Sequence, residues 1–324
     1  MTVAIVSTGG TIASTTDGDG GARPTLSAES LVDAIPAVAD VTPIETTQFS
    51  TVPSTHLTLD QMAGLLDFVE AADEDATIDG VVITQGTDVL EETSWFVDCA
   101  YTGETPVVFT GAMRNPSLPS PDGPANLLAS IRVAADPAAR DRGVLVAFND
   151  RVLPAAAVTK THSMNPDTFR APEYGPLATI AEDRVRWRRT RTVPRPGLSI
   201  DPDRLTTDVP ATYVTAAMSD RSLRACTDVP ALCLATTGAG HVPPDILPAL
   251  EALRANDVPI VATTRCPEGV LARDTYDFEG SERTLRELGC YFSDHNLQKT
   301  RIATIVALSA DGLDTMFDRP APPA

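Results

Sequence analysis

A doubly wound α/β fold with a mostly parallel sheet, followed by a smaller C-terminal α/β domain, is what this sequence predicts. Three observations carry the prediction. Short runs rich in β-branched residues, Val3 to Val6 and Val81 to Ile83, stop at glycine where a helical pattern begins. Strand-like and helical stretches then alternate with a spacing that implies parallel βαβ units. Finally, Thr192 to about Thr212 is proline-rich and aperiodic (Val193-Pro194-Arg195-Pro196-Gly197), as an interdomain linker would be. A chain of 324 residues is also long for one unit at about 100 to 200 residues per domain. The expected division is a larger domain over 1–191, a linker over 192–212 and a smaller domain over 213–324.

The elements follow in order. Val3 to Val6 reads as a strand, and a helix follows from about Ser27. Thr58-Leu59-Asp60-Gln61 has the spacing of a capping box, opening an amphipathic stretch to Ala72. Val81 to Ile83 is the next strand, and a helix runs from Thr87-Asp88 through Trp95, with Asp88 and Glu91 spaced to cap it. Pro106 to Phe109 and Gly143 to Phe148 read as strands on either side of a helix from Asn126 to Ala135. The apolar run Ala155 to Val158 is expected to bring Lys160 out at a strand end. Beyond the linker, strands are expected at Leu232 to Ala235 and Pro259 to Ala262, and helices from Pro244 and Glu282. Trp95 and Trp187 are assigned to core or interface.

Composition limits the partners. The net charge is −19, from 44 acidic against 25 basic residues, so the phosphates of a nucleic acid would be repelled. Lys160 and Lys299 are the only lysines. An acid-rich, lysine-poor chain suits concentrated salt, where a Debye length of roughly 3 Å at 1 M quenches self-repulsion. No apolar run approaches the roughly 20 residues of a membrane helix, and the N-terminus has no basic segment leading into an apolar stretch, so a cytoplasmic protein with no membrane partner is expected. Cys99, Cys226, Cys233, Cys266 and Cys290 are odd in number and never in Cys-x-x-Cys spacing, and are expected to be inert core thiols. The four histidines are too dispersed to suggest a metal site, and no cofactor is implied.

Two threonine-bearing turns carry the chemistry, Ser7-Thr8-Gly9-Gly10-Thr11 and Thr84-Gln85-Gly86-Thr87-Asp88. Each leaves the carboxyl end of a strand, where open α/β sheets bind ligands, and glycine allows a substrate to approach the backbone. Gly9-Gly10 lacks the spacing of either nucleotide-binding glycine motif. Hydroxyls at this crevice point to a hydrolase with a threonine nucleophile. Such a nucleophile needs a proton acceptor, and Lys160 can act as one in its neutral form, which arginine cannot. Asp88 is either a plain helix cap or a group that orients Lys160 and binds a substrate ammonium. His162 either lines the crevice or is structural. Asp17 to Gly21 is expected to be a mobile lid over Thr11.

With these residues in view, the sequence resembles the bacterial-type L-asparaginase family. The similarity runs through Thr8 to Ala13, Gly80 to Thr93, Gly111-Ala112-Met113-Arg114, Asp122 to Leu127, Thr159-Lys160-Thr161, Tyr174 to Leu177 and Asn296 to Arg301, covering essentially the whole chain. The resemblance implies that Thr11 is the primary nucleophile, with Thr87, Asp88 and Lys160 as a second hydrogen-bonded set. It implies hydrolysis of L-asparagine, in some members also L-glutamine, to the acid and ammonia without metal or cofactor. Ser54 and Thr55 would hold the α-carboxylate and α-amino group with Asp88, and Gly10, Gly86 and Ala112 complete the implied substrate-binding set. Homodimers or homotetramers are implied as well.

Departures from the family pattern are visible too. Gly20 to Pro24 contains no tyrosine where the family's mobile loop usually has one, and Gln85 replaces the family's histidine. Gly238 to Pro243 looks more like the archaeal amidotransferase D subunit than like the secreted enzymes. The alternatives kept open are therefore that amidase of a tRNA-dependent amidotransferase and a non-catalytic amino-acid sensor.

Overall fold

The computed structural model describes residues 2–16 and 21–321, which fall into two compact units, Met1–Gly197 and Leu198–Ala324. Residues 17–20 of the expected lid lie outside the described residues.

The first unit begins with β1 (Val3–Gly9), the short antiparallel pair β2 (Ser14–Thr15) and β3 (Arg23–Pro24), α1 (Ala28–Asp33), β4 (Ile44–Val52), α2 (Leu59–Glu74) and β5 (Gly80–Thr84). It continues with α3 (Leu90–Ala100), β6 (Val107–Thr110), α4 (Gly123–Ala134), β7 (Val144–Phe148) and β8 (Arg151–Pro154). The two-residue strands β9 (Thr159–Lys160) and β10 (Phe169–Arg170) form a separate antiparallel ribbon before β11 (Ala178–Ala181) and β12 (Arg184–Trp187).

The main sheet has eight strands in the order β12-β11-β8-β7-β6-β5-β1-β4. From β4 to β7 every pairing is parallel, and β8, β11 and β12 are added antiparallel. The chain places β4 on one side of β1 and β5 on the other, so the strand order reverses there and a crevice opens at the carboxyl ends of β1 and β5. β5 and β7 are buried at every residue, which is why each reads as an unbroken apolar run. One sheet face, with Val3, Ile5, Val82, Val108 and Leu145, packs on Leu127 and Ile131 of α4 and Leu31 of α1. α2 and α3 pack against β5, β6 and β7 as well.

The capping box of α2 forms, with Thr58 accepting from Gln61 N and Gln61 accepting from Thr58 N. The cap expected for the next helix does not. A 3-10 turn at Thr87–Val89 precedes α3, the N-cap position is Val89, and neither Asp88 nor Glu91 caps it. Ala155 to Ala157 forms a turn rather than a strand, and Lys160 sits in the ribbon instead. The helix expected from Asn126 starts earlier, at Gly123.

The proline-rich stretch is fastened to the first unit at its start. Arg191 makes two 2.7 Å bonds to the carboxylate of the fully buried Asp98, and Arg195 reaches Gly103 O at 2.7 Å and Asp141 at 2.6 Å. Trp95 is in the core at 1% exposure. Trp187 packs at the core's edge, donates to Asp136 at 2.9 Å and carries the Arg142 guanidinium over its ring.

The second unit contains β13 (Ala211–Tyr213), β14 (Leu232–Thr236), α5 (Leu247–Ala255), β15 (Ile260–Thr264), α6 (Glu282–Glu287), β16 (Tyr291–Phe292), α7 (Leu297–Ser309) and α8 (Leu313–Met316). Its four strands form a parallel sheet in the order β13-β14-β15-β16, and β13 begins inside the stretch read as linker. Cys99, Cys226, Cys233 and Cys290 are buried, but Cys266 is exposed, contrary to the expectation of a core thiol. No helix among the described residues is long and apolar enough to cross a membrane.

Candidate active site

The carboxyl ends of β1 and β5 are tied together. The Thr8 hydroxyl donates to Thr84 O at 3.1 Å, and the turns that follow touch through their glycines. Gly10 has φ +81°, and a Cβ there would overlap the backbone nitrogen and Cα of Gly86. Only a residue without a side chain allows both the positive φ and this approach. Thr11 and Thr87 each follow one of the touching glycines. Thr11 opens a 3-10 turn and is half-buried, whereas Thr87 is 5% exposed.

Two further segments reach the same place. A 3-10 turn at Ser54–His56, after β4, brings Ser54 against Gly86, where an added Cβ would come within 2.8 Å of the serine Oγ. Ser54 is buried, whereas its neighbour Thr55 is exposed. Beyond β6, a Cβ on Gly111 would come within 3.3 Å of Thr87 Cγ2, and the adjacent Ala112 is fully buried. Asn126 of α4 fixes this segment by donating to Gly111 O at 3.0 Å.

Lys160 completes the cluster from the ribbon. Its Nζ donates to Thr87 Oγ1 at 2.9 Å and to Asp88 Oδ1 at 2.6 Å. The lysine side chain is 13% exposed and that of Asp88 64% exposed, so a largely covered amine is paired with a carboxylate still open to solvent. The Thr11 hydroxyl is not part of this bonded set. Sequence reasoning missed Glu91, which accepts the Lys160 N–H on Oε2 and the Thr159 hydroxyl on Oε1 at 3.3 Å. Its only local signal was cap spacing, which pointed to a different role.

Gln85 is fully buried and donates to the Thr93 hydroxyl at 3.0 Å. His162 has the structural role: its Nδ1 accepts from the amides of Met164 and Asn165, both at 3.0 Å. Among the described residues no group of three His, Cys, Asp or Glu side chains could hold a metal ion.

Comparison with known proteins accounts for both units. The family model described as "Asparaginase, N-terminal" matches residues 2–193, and that described as "Glutaminase/Asparaginase C-terminal domain" matches residues 208–315. The chain belongs to the asparaginase family. The L-asparaginase of Bacillus licheniformis is 31% identical over 325 residues, spanning 97% of this chain and 98% of that protein. A probable L-asparaginase of Deinococcus radiodurans is 34% identical over 316 residues, spanning 95% and 92% of the two chains. In the crystal structure of a probable cytoplasmic L-asparaginase from Campylobacter jejuni, the asparaginase fold superposes with a TM-score of 0.85 at 28% identity, covering 97% of this chain and 98% of that one.

Proposed function

We propose that this chain hydrolyses L-asparagine to L-aspartate and ammonia through an ester on Thr11. The observation that carries the reading is the amine of Lys160 bonded to the hydroxyl of Thr87, beside the touching Gly10 and Gly86 turns. The Thr11 hydroxyl attacks the side-chain amide carbon, and its proton passes to the neutral Lys160 amine through Thr87. Backbone N–H groups of the two turns bind the developing oxyanion, commonly the largest single contribution in acyl transfer. The tetrahedral intermediate collapses as the proton reaches the leaving nitrogen, which departs as ammonia. Water then attacks the ester with the same amine as general base, restoring Thr11 and releasing aspartate. Asp88 has one oxygen on Lys160 and stays open to solvent, which suits it to hold the substrate ammonium with Ser54 and Thr55, while Gly10, Gly86 and Ala112 shape the pocket wall.

L-glutamine is a second candidate substrate, supported by the description of the family model matched by the second unit. One methylene of pocket depth separates the two amides, worth about 1 to 3 kcal/mol. We further propose a catalytic domain over 1–191 and a smaller domain over 213–324, assembly as a homodimer or homotetramer, and adaptation to concentrated salt. The test is a coupled ammonia assay with each amide over a range of KCl concentrations, alongside light scattering for the assembly. Ammonia release from asparagine supports the proposal; no release from either amide at any salt concentration rules it out.

A further inference from the structure

Lys160 is held at both ends by one short segment. Thr87 and Asp88 take its amine, and Glu91, three residues after Asp88, takes its backbone. Glu91 is a carboxylate in the first turn of α3, yet it is 2% exposed. Charged side chains are almost never this buried unless they are paired or hydrogen-bonded.

The ribbon explains why the Lys160 amide is available. Thr161 N donates to Thr168 O, so hydrogen-bonded and non-hydrogen-bonded pairs alternate from there, and Lys160 opposite Phe169 falls in a non-hydrogen-bonded pair. Its amide therefore points away from β10, and Glu91 accepts it. Because β9 has only two residues, the ribbon alone does little to fix how far Lys160 stands from Thr87.

We infer that Glu91 is the positioning residue for Lys160, setting β9 against α3 so that the amine meets Thr87 and Asp88. This inference rests on the proposed role of Lys160 as the base. Glu91 acts through the Lys160 backbone and the Thr159 hydroxyl, so its effect is on geometry, where a displacement of about 1 Å costs on the order of 10²-fold in rate.

The test uses the full chain with asparagine. Glu91→Met keeps the length of the side chain but removes both acceptors, and should lower kcat by about 10²-fold with KM within about twofold of the parent. Glu91→Gln can offer its oxygen to the Lys160 amide and its NH2 to the Thr159 hydroxyl, and should recover most of that loss. Thr159→Val removes the hydroxyl bonded to Glu91 and should lower kcat by a smaller factor, which provides a second measurement if Glu91→Met does not fold. Glu91→Met combined with Lys160→Ala should be no slower than Lys160→Ala alone, since the first change acts through the second residue. Unchanged kcat in Glu91→Met, or a loss that adds fully to that of Lys160→Ala, overturns the inference. Wild-type turnover of Lys160→Ala would instead refute the base itself, so the two failures are distinguishable.

Discussion

The amine of Lys160 stands 2.9 Å from the hydroxyl of Thr87, and the two residues come from segments 73 positions apart. Lys160→Ala removes the proposed base and should cost about 10²- to 10⁴-fold in kcat. Lys160→Arg keeps a positive group for Asp88 but cannot lose its proton, so it should be as slow as the alanine variant. Ammonia release by the arginine variant at the parent rate would contradict general-base catalysis here.

Thr11→Ala removes the proposed nucleophile and should abolish the acyl-enzyme entirely. Mass spectrometry after acid quench should find an aspartyl ester on the parent chain and none on Thr11→Ala. An ester mapping to Thr87 instead would reassign the nucleophile. Thr11→Ala combined with Thr87→Val should lose little more activity than either single variant, because residues acting as a unit are not additive.

Asp98 and Arg191 form a buried bidentate pair, and Asp98 also accepts the Val144 amide at 2.9 Å. Asp98→Ala leaves the guanidinium without its partner and should destabilise the chain by about 3 to 5 kcal/mol. Urea unfolding of the two proteins measures this, and a difference near zero would mean the start of the proline-rich stretch is not anchored by the pair.

Asp73 offers a pH-dependent check on stability. Burial works against its ionised form, but hydrogen bonds from the Thr105 amide at 2.8 Å, the Tyr101 hydroxyl at 2.9 Å and the Glu104 amide at 3.2 Å outweigh it and hold the carboxyl below its usual range. A carboxyl lowered in the folded state contributes stability that is complete above its unfolded value of about 3.9 and is lost as pH falls through the folded value. Asp73→Asn should therefore lower stability by about 1 to 3 kcal/mol at neutral pH. The gap to the parent should narrow in acid, as pH falls below the unfolded value of about 3.9. A gap of constant size across that range would count against the hydrogen bonds as its source.

Thiol chemistry should separate the cysteines. Burial pushes the Cys233 thiol up to about 11 and the Cys290 thiol up to about 12, and it raises Cys226 as well. Only exposed Cys266 should react quickly with a thiol reagent in the native state, with all five reacting after unfolding. Rapid modification of more than one site in the native chain would indicate opening of the cores.

Much of the fold was legible because its causes are local. Val3 to Val6 and Val81 to Ile83 declare buried strands by composition, and Thr58 with Gln61 declares a helix start by chemistry within one turn. The edge strand β12 and its neighbour β11 were not seen, because the charged residues of β12, Arg184 and Arg186, and the half-exposed residues of β11 carry no buried pattern. β13 was hidden for a similar reason, since its pairing with β14 is long-range and its own residues are exposed or half-exposed. At the site, Thr11 and Thr87 could be read from their turns. Lys160 could be named as the partner of Thr87 and Asp88, but what holds it there could not, because that depends on a two-residue ribbon and on Glu91 reaching across from α3.

The meeting of Gly10 with Gly86 has a consequence for anyone who would remodel this protein. The two crests share one space that neither strand owns, so a methyl group added to Gly10 would push the peptide of Gly86 aside, and one added to Gly86 would run into Ser54. Mutant libraries aimed at new amide substrates should leave both glycines fixed and vary instead the neighbours of Ser54 and Ala112, where the wall can change shape without prying the two strands apart.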